Sequence, residues 1–210
     1  MIAVIDMGIS NVASVFRALE RVGASSVETA RPATLARAAA VLLPGVGAFG
    51  DGMASLRQQA LVEPLRRAVA AGTPILGICL GMQLLAEESE EHGSHKGLGL
   101  VRGRVTRLAP SDPRFRVPNI GWCDVTPTRR GVLFPEARGG SFYHVHSYRL
   151  EPADPSCVAA TIDYSGEAVP VAIEAGNLFG VQFHTEKSQD DGLDLLAAFL
   201  DHLRRQGRTN

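Results

Sequence analysis

The stretch Thr73-Pro-Ile-Leu-Gly-Ile-Cys79-Leu-Gly-Met-Gln83 constrains this chain more than any other. An apolar run of strand length ends in a cysteine flanked by Gly77 and Gly81, and a helix-forming sequence follows at once. That spacing suits a strand-to-helix elbow, because small neighbours let the backbone turn sharply and leave the central side chain exposed. A helix starting near Leu80 would aim its first free N–H groups at the sulfur and favour a thiolate, so Cys79 reads as a nucleophile. A lone cysteine in a tight turn is equally compatible with a buried structural residue, since cysteine is among the most buried residue types. The choice depends on what the rest of the chain supplies.

Around the elbow the sequence alternates strand and helix. Ile2–Asp6 is an apolar run suited to a buried parallel strand, and Val12–Val22 carries apolar residues at helical spacing until Gly23 stops it. A strand is expected at Ser26–Ala30, a helix at Ala33–Ala39 and a strand at Ala40–Leu43, before Pro44-Gly45-Val46-Gly47. Gln58–Ala71 reads as a helix, kinked or restarted at Pro64, and Ile75–Ile78 is the next strand. Cys79 then lies at a strand's carboxyl end, where open parallel sheets gather their ligand sites. Beyond Glu91 the texture becomes alternating and glycine-rich. Short, partly antiparallel strands are expected within Lys96–Leu108, Gly121–Thr126, Ser141–Leu150, Cys157–Tyr164 and Val169–Glu174. Leu178–Phe183 is a last apolar strand, and Gly192–Leu203 a closing amphipathic helix.

At 210 residues with 45% hydrophobic content, one domain over 1–210 is expected, large enough to bury a core without disulfides. A formal net charge of -1 gives no reason to expect nucleic acid or an anionic membrane as partner. Met1–Ile5 is too short an apolar run for a signal-peptide core and no later stretch approaches a membrane span, so a cytoplasmic protein is expected. Cys79, Cys123 and Cys157 are too scattered for a disulfide framework or a CxxC metal site.

The strongest partner for Cys79 is His184, followed two residues later by Glu186. On a strand, such residues share a side, so the carboxylate can hold one ring nitrogen while the other faces the thiol. Cysteine, base and orienter then form a triad. His-x-Glu alone would equally suit a surface ion pair. The Pro44–Gly47 turn can present backbone N–H groups, at Val46 or Gly47, which with the Leu80 N–H would make an oxyanion hole. His144 and His146 raise a competing reading in which they, His184 and Glu186 surround a metal, but that reading leaves the elbow unexplained. His92, His95 and His202 lie in polar or helical surroundings suited to solvation. No phosphate loop or dinucleotide fingerprint is present.

With these residues assembled, the chain resembles the class I, triad-type glutamine amidotransferases. Pro44-Gly-Val-Gly-Ala-Phe49, Gly77–Gln83, Asn119-Ile-Gly-Trp122, Val145-His-Ser-Tyr148 and Gly180–Ser188 make it similar to the glutaminase subunits of imidazole glycerol phosphate synthases. The resemblance implies a flavodoxin-like three-layer α/β fold with a mostly parallel central sheet and added antiparallel strands in the second half. It implies a triad of Cys79, His184 and Glu186, oxyanion donors at Val46, Gly47 and Leu80, and a glutamine pocket at Gly47, Gln83, Glu91, Ser147 and Tyr148. It also implies no cofactor and no metal. Ammonia would pass to a separate cyclase subunit, a (β/α)8 barrel, in histidine biosynthesis. Asn11, Trp122, Tyr143 and Lys187 match positions at or near the heterodimer interface. Met7 and Ser10 stand where the family usually has an aromatic and a glycine, Thr185 where it has proline, and His144 where it has an aromatic. A glutaminase serving anthranilate or aminodeoxychorismate synthase would share the triad, and a binding protein could keep the fold without turnover.

Overall fold

A computed structural model describes residues 1–8 and 11–209, and the departure at Ser10 lies outside the described residues. The first half alternates strands and helices: β1 (Ile2–Ile5), α1 (Val12–Arg21), β2 (Ser26–Thr29), α2 (Pro32–Leu35), β3 (Ala40–Gly45), α3 (Phe49–Gln58), α4 (Val62–Ala70), β4 (Ile75–Cys79) and α5 (Leu80–Leu84). Strands then dominate, as β5 (Ala86–Ser89), β6 (His95–Lys96), β7 (Val101–Arg107), β8 (Asn119–Pro127) and β9 (Gly140–His146). The chain continues through β10 (Tyr148–Pro152), β11 (Val158–Tyr164), β12 (Glu167–Ala175) and β13 (Leu178–Val181) to α6 (Gln189–Arg205).

A nine-stranded sheet runs β2-β1-β3-β4-β13-β12-β11-β8-β9. It is parallel from β2 to β13 and antiparallel from β13 outward. β1 shows why its sequence is apolar throughout: Ile2 and Val4 enter the core beneath α1 and α6, while Ala3 and Ile5 enter the core beneath α3, α4 and α5. This is the expected three-layer α/β arrangement. A second sheet, β10-β7-β5-β6, was not anticipated, and its Val101, Val105 and Leu150 extend the core on the α5 side.

Several boundaries differ from the sequence expectation. The helix expected at Gln58–Ala71 is two helices, broken at Ala60, whose φ is +55°. Pro64 falls at the third position of α4, where the missing N–H costs no intrahelical bond. Ala33–Ala39 forms a single helical turn, α2. The strand-forming stretch Ser141–Leu150 divides at Ser147 into β9 of the large sheet and β10 of the small one.

Candidate active site

β4 lies between β3 and β13, with Gly77 paired to Leu43 on one side and Gly180 on the other. Its last residue, Cys79, has φ 54° and ψ -113°, a backbone state that L side chains rarely adopt. The flanking glycines are sterically required. A Cβ on Gly77 would lie 2.6 Å from the Gly81 carbonyl oxygen, and one on Gly81 only 1.6 Å from the Leu43 oxygen. The elbow places Cys79 in the wall of a cleft with 5% exposure, not on open surface as the spacing suggested. The helix after it has only five residues, so local N–H groups contribute more there than an extended helix dipole.

His184 lies three residues past the end of β13, whose pairing with β4 carries the chain toward Cys79. Its Nδ1–H donates to Glu186 Oε1 at 2.8 Å. The route differs from the strand geometry expected, because Thr185–Lys187 forms a 3-10 turn that folds the carboxylate back onto the ring. The backbone is clamped too. His184 N donates to the Tyr143 carbonyl at 3.0 Å, the Ser188 hydroxyl donates to the His184 carbonyl, and Tyr143 N donates to that hydroxyl at 2.9 Å. Burial pulls the His184 pKa down, but interactions with Cys79 and then Glu186 outweigh it and hold the ring up to about 9. Its Nε2 is buried without a closed hydrogen bond, as is common for catalytic pairs before substrate binds.

A cavity of about 240 Å³ opens beside the sulfur, lined by Val46, Gly47, Cys79, Leu80, Gln83 and Glu91 together with Pro118 and the 145–148 segment. The structure thus brings together every residue expected for the oxyanion hole and the glutamine pocket. Val46 is 38% exposed, and Gly47 has φ +93°, with no atom within 4 Å of where a Cβ would stand. Glu91 Oε2 accepts from Phe49 N at 2.7 Å, which holds the carboxylate at the cavity wall. Gln83 Nε2 donates to the Tyr148 carbonyl at 3.0 Å and to Gln182 Oε1 at 2.9 Å. Gln182, unnoticed in the sequence, donates to the Cys79 sulfur at 3.8 Å. Its only sequence signal is its place two residues before the histidine.

His144 and His146 do not surround a metal with His184 and Glu186. His146 Nδ1–H donates to the Tyr148 carbonyl at 2.9 Å, leaving Nε2 to accept from Asn119 at 3.2 Å and from His144 Nδ1–H at 3.3 Å. Both ring nitrogens of His146 and Nδ1 of His144 are therefore engaged with the protein, and no group of histidine, cysteine and carboxylate side chains among the described residues is arranged to hold a metal ion. Burial, then the neighbouring histidines, push the His144 pKa down to about 3. Burial, opposed by the Tyr148 hydrogen bond, pushes that of His146 down to about 4. His202, expected to be solvated, is half-buried: one face of the ring packs edge-on against Phe179 at 5.5 Å and Nε2 is hydrogen-bonded to the exposed Gln206 at 3.0 Å.

Of the residues expected at a partner surface, three cluster. Trp122 meets Tyr143 edge-on at 6.0 Å, and Lys187 Nζ lies 5.8 Å from the Tyr143 ring centroid. Trp122 is 48% exposed and Ile120, missed in the sequence, 61% exposed. Asn11 is exposed and caps α1 through Ser14 N at 3.4 Å, which gives it a structural task of its own. Met7 is buried against the turn after β3, its methyl only 2.7 Å from where a Cβ on Gly45 would stand.

An elbow cysteine, a clamped His–Glu pair and a cleft beside them at the carboxyl edge of a parallel sheet agree with the sequence comparison, in which residues 3–203 match the family described as glutamine amidotransferase class-I. The chain belongs to that family. It is 46% identical over 207 residues to the imidazole glycerol phosphate synthase subunit HisH of Moorella thermoacetica, covering 98% of this chain and 97% of that one. It is 44% identical over 200 residues to the subunit of the same name from Rhodopirellula baltica, covering 95% and 96%. A crystal structure of a glutamine amidotransferase superposes with a TM-score of 0.76 at 20% identity, covering 97% of this chain and 98% of that one, a likeness of fold.

Proposed function

We propose that this chain, as one domain over residues 1–210, is the glutaminase subunit of an imidazole glycerol phosphate synthase. The observation that carries the chemistry is the juxtaposition of Cys79 with a His184–Glu186 pair beside an amino-acid-sized cleft. In this reading the Cys79 sulfur attacks the side-chain amide carbon of glutamine, and backbone N–H groups of Leu80 and of Val46 or Gly47 stabilise the resulting oxyanion. His184 gives its Nε2 proton to the departing ammonia, while Glu186 fixes the tautomer and orientation of the ring. The glutamyl thioester is then hydrolysed by water, with His184 as base, to release glutamate. Glu91 meets the substrate ammonium, and Gly47, Gln83, Ser147 and Tyr148 complete the pocket. No cofactor takes part in these steps.

The ammonia goes to a cyclase subunit with a (β/α)8 barrel, which docks on Trp122, Tyr143 and Lys187, with Asn11 at or near its edge. Support for this acceptor comes from the near full-length likeness to subunits of that name and from the exposed aromatic cluster. No helix among the described residues is long and apolar enough to cross a membrane, and we place the complex in the cytoplasm. The test is to mix the chain with a histidine-pathway cyclase subunit and follow glutamine hydrolysis with and without the cyclase ligand. Complex formation with stimulated hydrolysis is expected; neither would direct attention to a different acceptor enzyme.

A further inference from the structure

We propose that Gln182 is a positioning residue for the nucleophile, presenting an amide N–H to the Cys79 sulfur, and that Gln83 fixes which end of that amide faces the sulfur. The inference deepens the hydrolytic role given above and rests on it.

The orientation follows from one group that has no choice. The Tyr148 carbonyl can only accept, so the end of the Gln83 amide that sits 3.0 Å from it must be Nε2. The second hydrogen of that nitrogen points to an atom of Gln182 at 2.9 Å, which must be its oxygen. A planar amide with its oxygen fixed there turns its NH2 group the other way, and Nε2 lies 3.8 Å from the sulfur. His146 donates to the same Tyr148 carbonyl, further committing it as an acceptor. Gln182 is anchored at its backbone by donation to Val171 at 2.8 Å, so the side chain starts from a fixed point beside β12.

Besides His184, the sulfur thus has two neighbours of opposite kind. The Val145 carbonyl, 4.0 Å away, can accept a hydrogen bond from the thiol, whereas the Gln182 NH2 group can only donate. A donor interacts more strongly with a charged acceptor than with a neutral one, so the Gln182 N–H favours the thiolate over the thiol. Full burial of the Gln182 side chain leaves no water to take its place. Gln83 also lines the cavity with its oxygen uncommitted, so the amide that meets substrate is the one that orients the sulfur's donor.

The test is the rate of Cys79 alkylation by iodoacetamide against pH, located by mass spectrometry, alongside glutamine hydrolysis. Gln182→Met removes the donor. It is expected to slow alkylation at pH 7 about tenfold, the size of one hydrogen bond to a charged acceptor. The kcat should fall by a similar factor with KM near the wild-type value. Gln182→Glu keeps the shape, replaces the donor by an acceptor and should not rescue the rate. The double variant Gln83→Met with Gln182→Met leaves neither amide orphaned and so tolerates burial better. It should show the same alkylation profile as Gln182→Met, with KM raised by the loss of Gln83. A wild-type alkylation profile in either folded Met variant overturns the proposal, even if kcat falls. Failure of the wild-type protein to hydrolyse glutamine with its cyclase present would instead overturn the hydrolytic role, and would leave the alkylation result to stand separately.

Discussion

Two neighbouring buried histidine environments end with their pKa values shifted in opposite directions. His184 is held up to about 9, whereas His144 and His146 are pushed down to about 3 and 4. All three are buried, so burial alone does not decide. His184 faces the Cys79 sulfur and the Glu186 carboxylate, and its hydrogen-bonding and electrostatic interactions with them outweigh desolvation. His144 and His146 face each other, an amide and a carbonyl, and only the Tyr148 carbonyl partly offsets the loss of water, at His146. One ring is built to carry a proton, and the other two to stay neutral and hold the pocket wall.

The largest disturbance removes the sulfur. Cys79→Ala should lower glutamine hydrolysis by at least about 10⁴-fold, and NMR titration should show the His184 ring falling back toward the ordinary histidine range. Glu186→Gln keeps the shape but removes the orienting charge, and kcat should fall about a hundredfold or more. In the wild type, the raised His184 pKa stabilises the fold fully below pH 6.5, and that contribution is lost as pH rises through about 9. It amounts to about 3 kcal/mol, so denaturant unfolding between pH 6.5 and 9.5 should fall more steeply than in His184→Gln. The neutral pair has the opposite sign. Its stabilisation is present above pH 6.5 and drains as pH falls toward 4 and 3. His144→Phe should therefore lose about 2 kcal/mol less stability than wild type between pH 7 and pH 5. The smallest effect belongs to Thr185, whose hydroxyl is buried without a partner. Because His184 is already extended, with ψ 104°, Thr185→Pro should raise stability by about 1 kcal/mol and leave kcat unchanged.

The elbow and the His-x-Glu pair were legible because each depends on local spacing: glycines flank the cysteine, and a carboxylate sits two residues from its base. The alternation of the first half was legible for the same reason, since β1 and β4 are apolar on both faces. Gln182 was not legible, because its partners Gln83 and Cys79 lie about a hundred positions away and an isolated glutamine has no signature. The Ser188 clamp joins a local bond to the His184 carbonyl with a long-range one from Tyr143 N, 45 positions away, and the second has no sequence signature. The division of residues 141–150 escaped notice because both strands share one alternating pattern, and only the sheet pairings reveal the change of direction at Ser147. Met7 and His144 could be seen as unusual in sequence, but their tasks, filling space beside Gly45 and donating to His146, required coordinates.

The position of β4 between β3 and β13 has a consequence for how the chain must be made. β4 ends at residue 79, yet the strand that covers its second edge begins at Leu178. During synthesis the fully apolar Ile75–Cys79 edge must wait for roughly a hundred more residues before its neighbour leaves the ribosome. An unpaired edge of that kind is the template on which chains stick to one another. The strand that supplies the histidine is therefore also the one that seals the sheet, and a nascent chain acquires its reactivity and loses its tendency to aggregate in the same event.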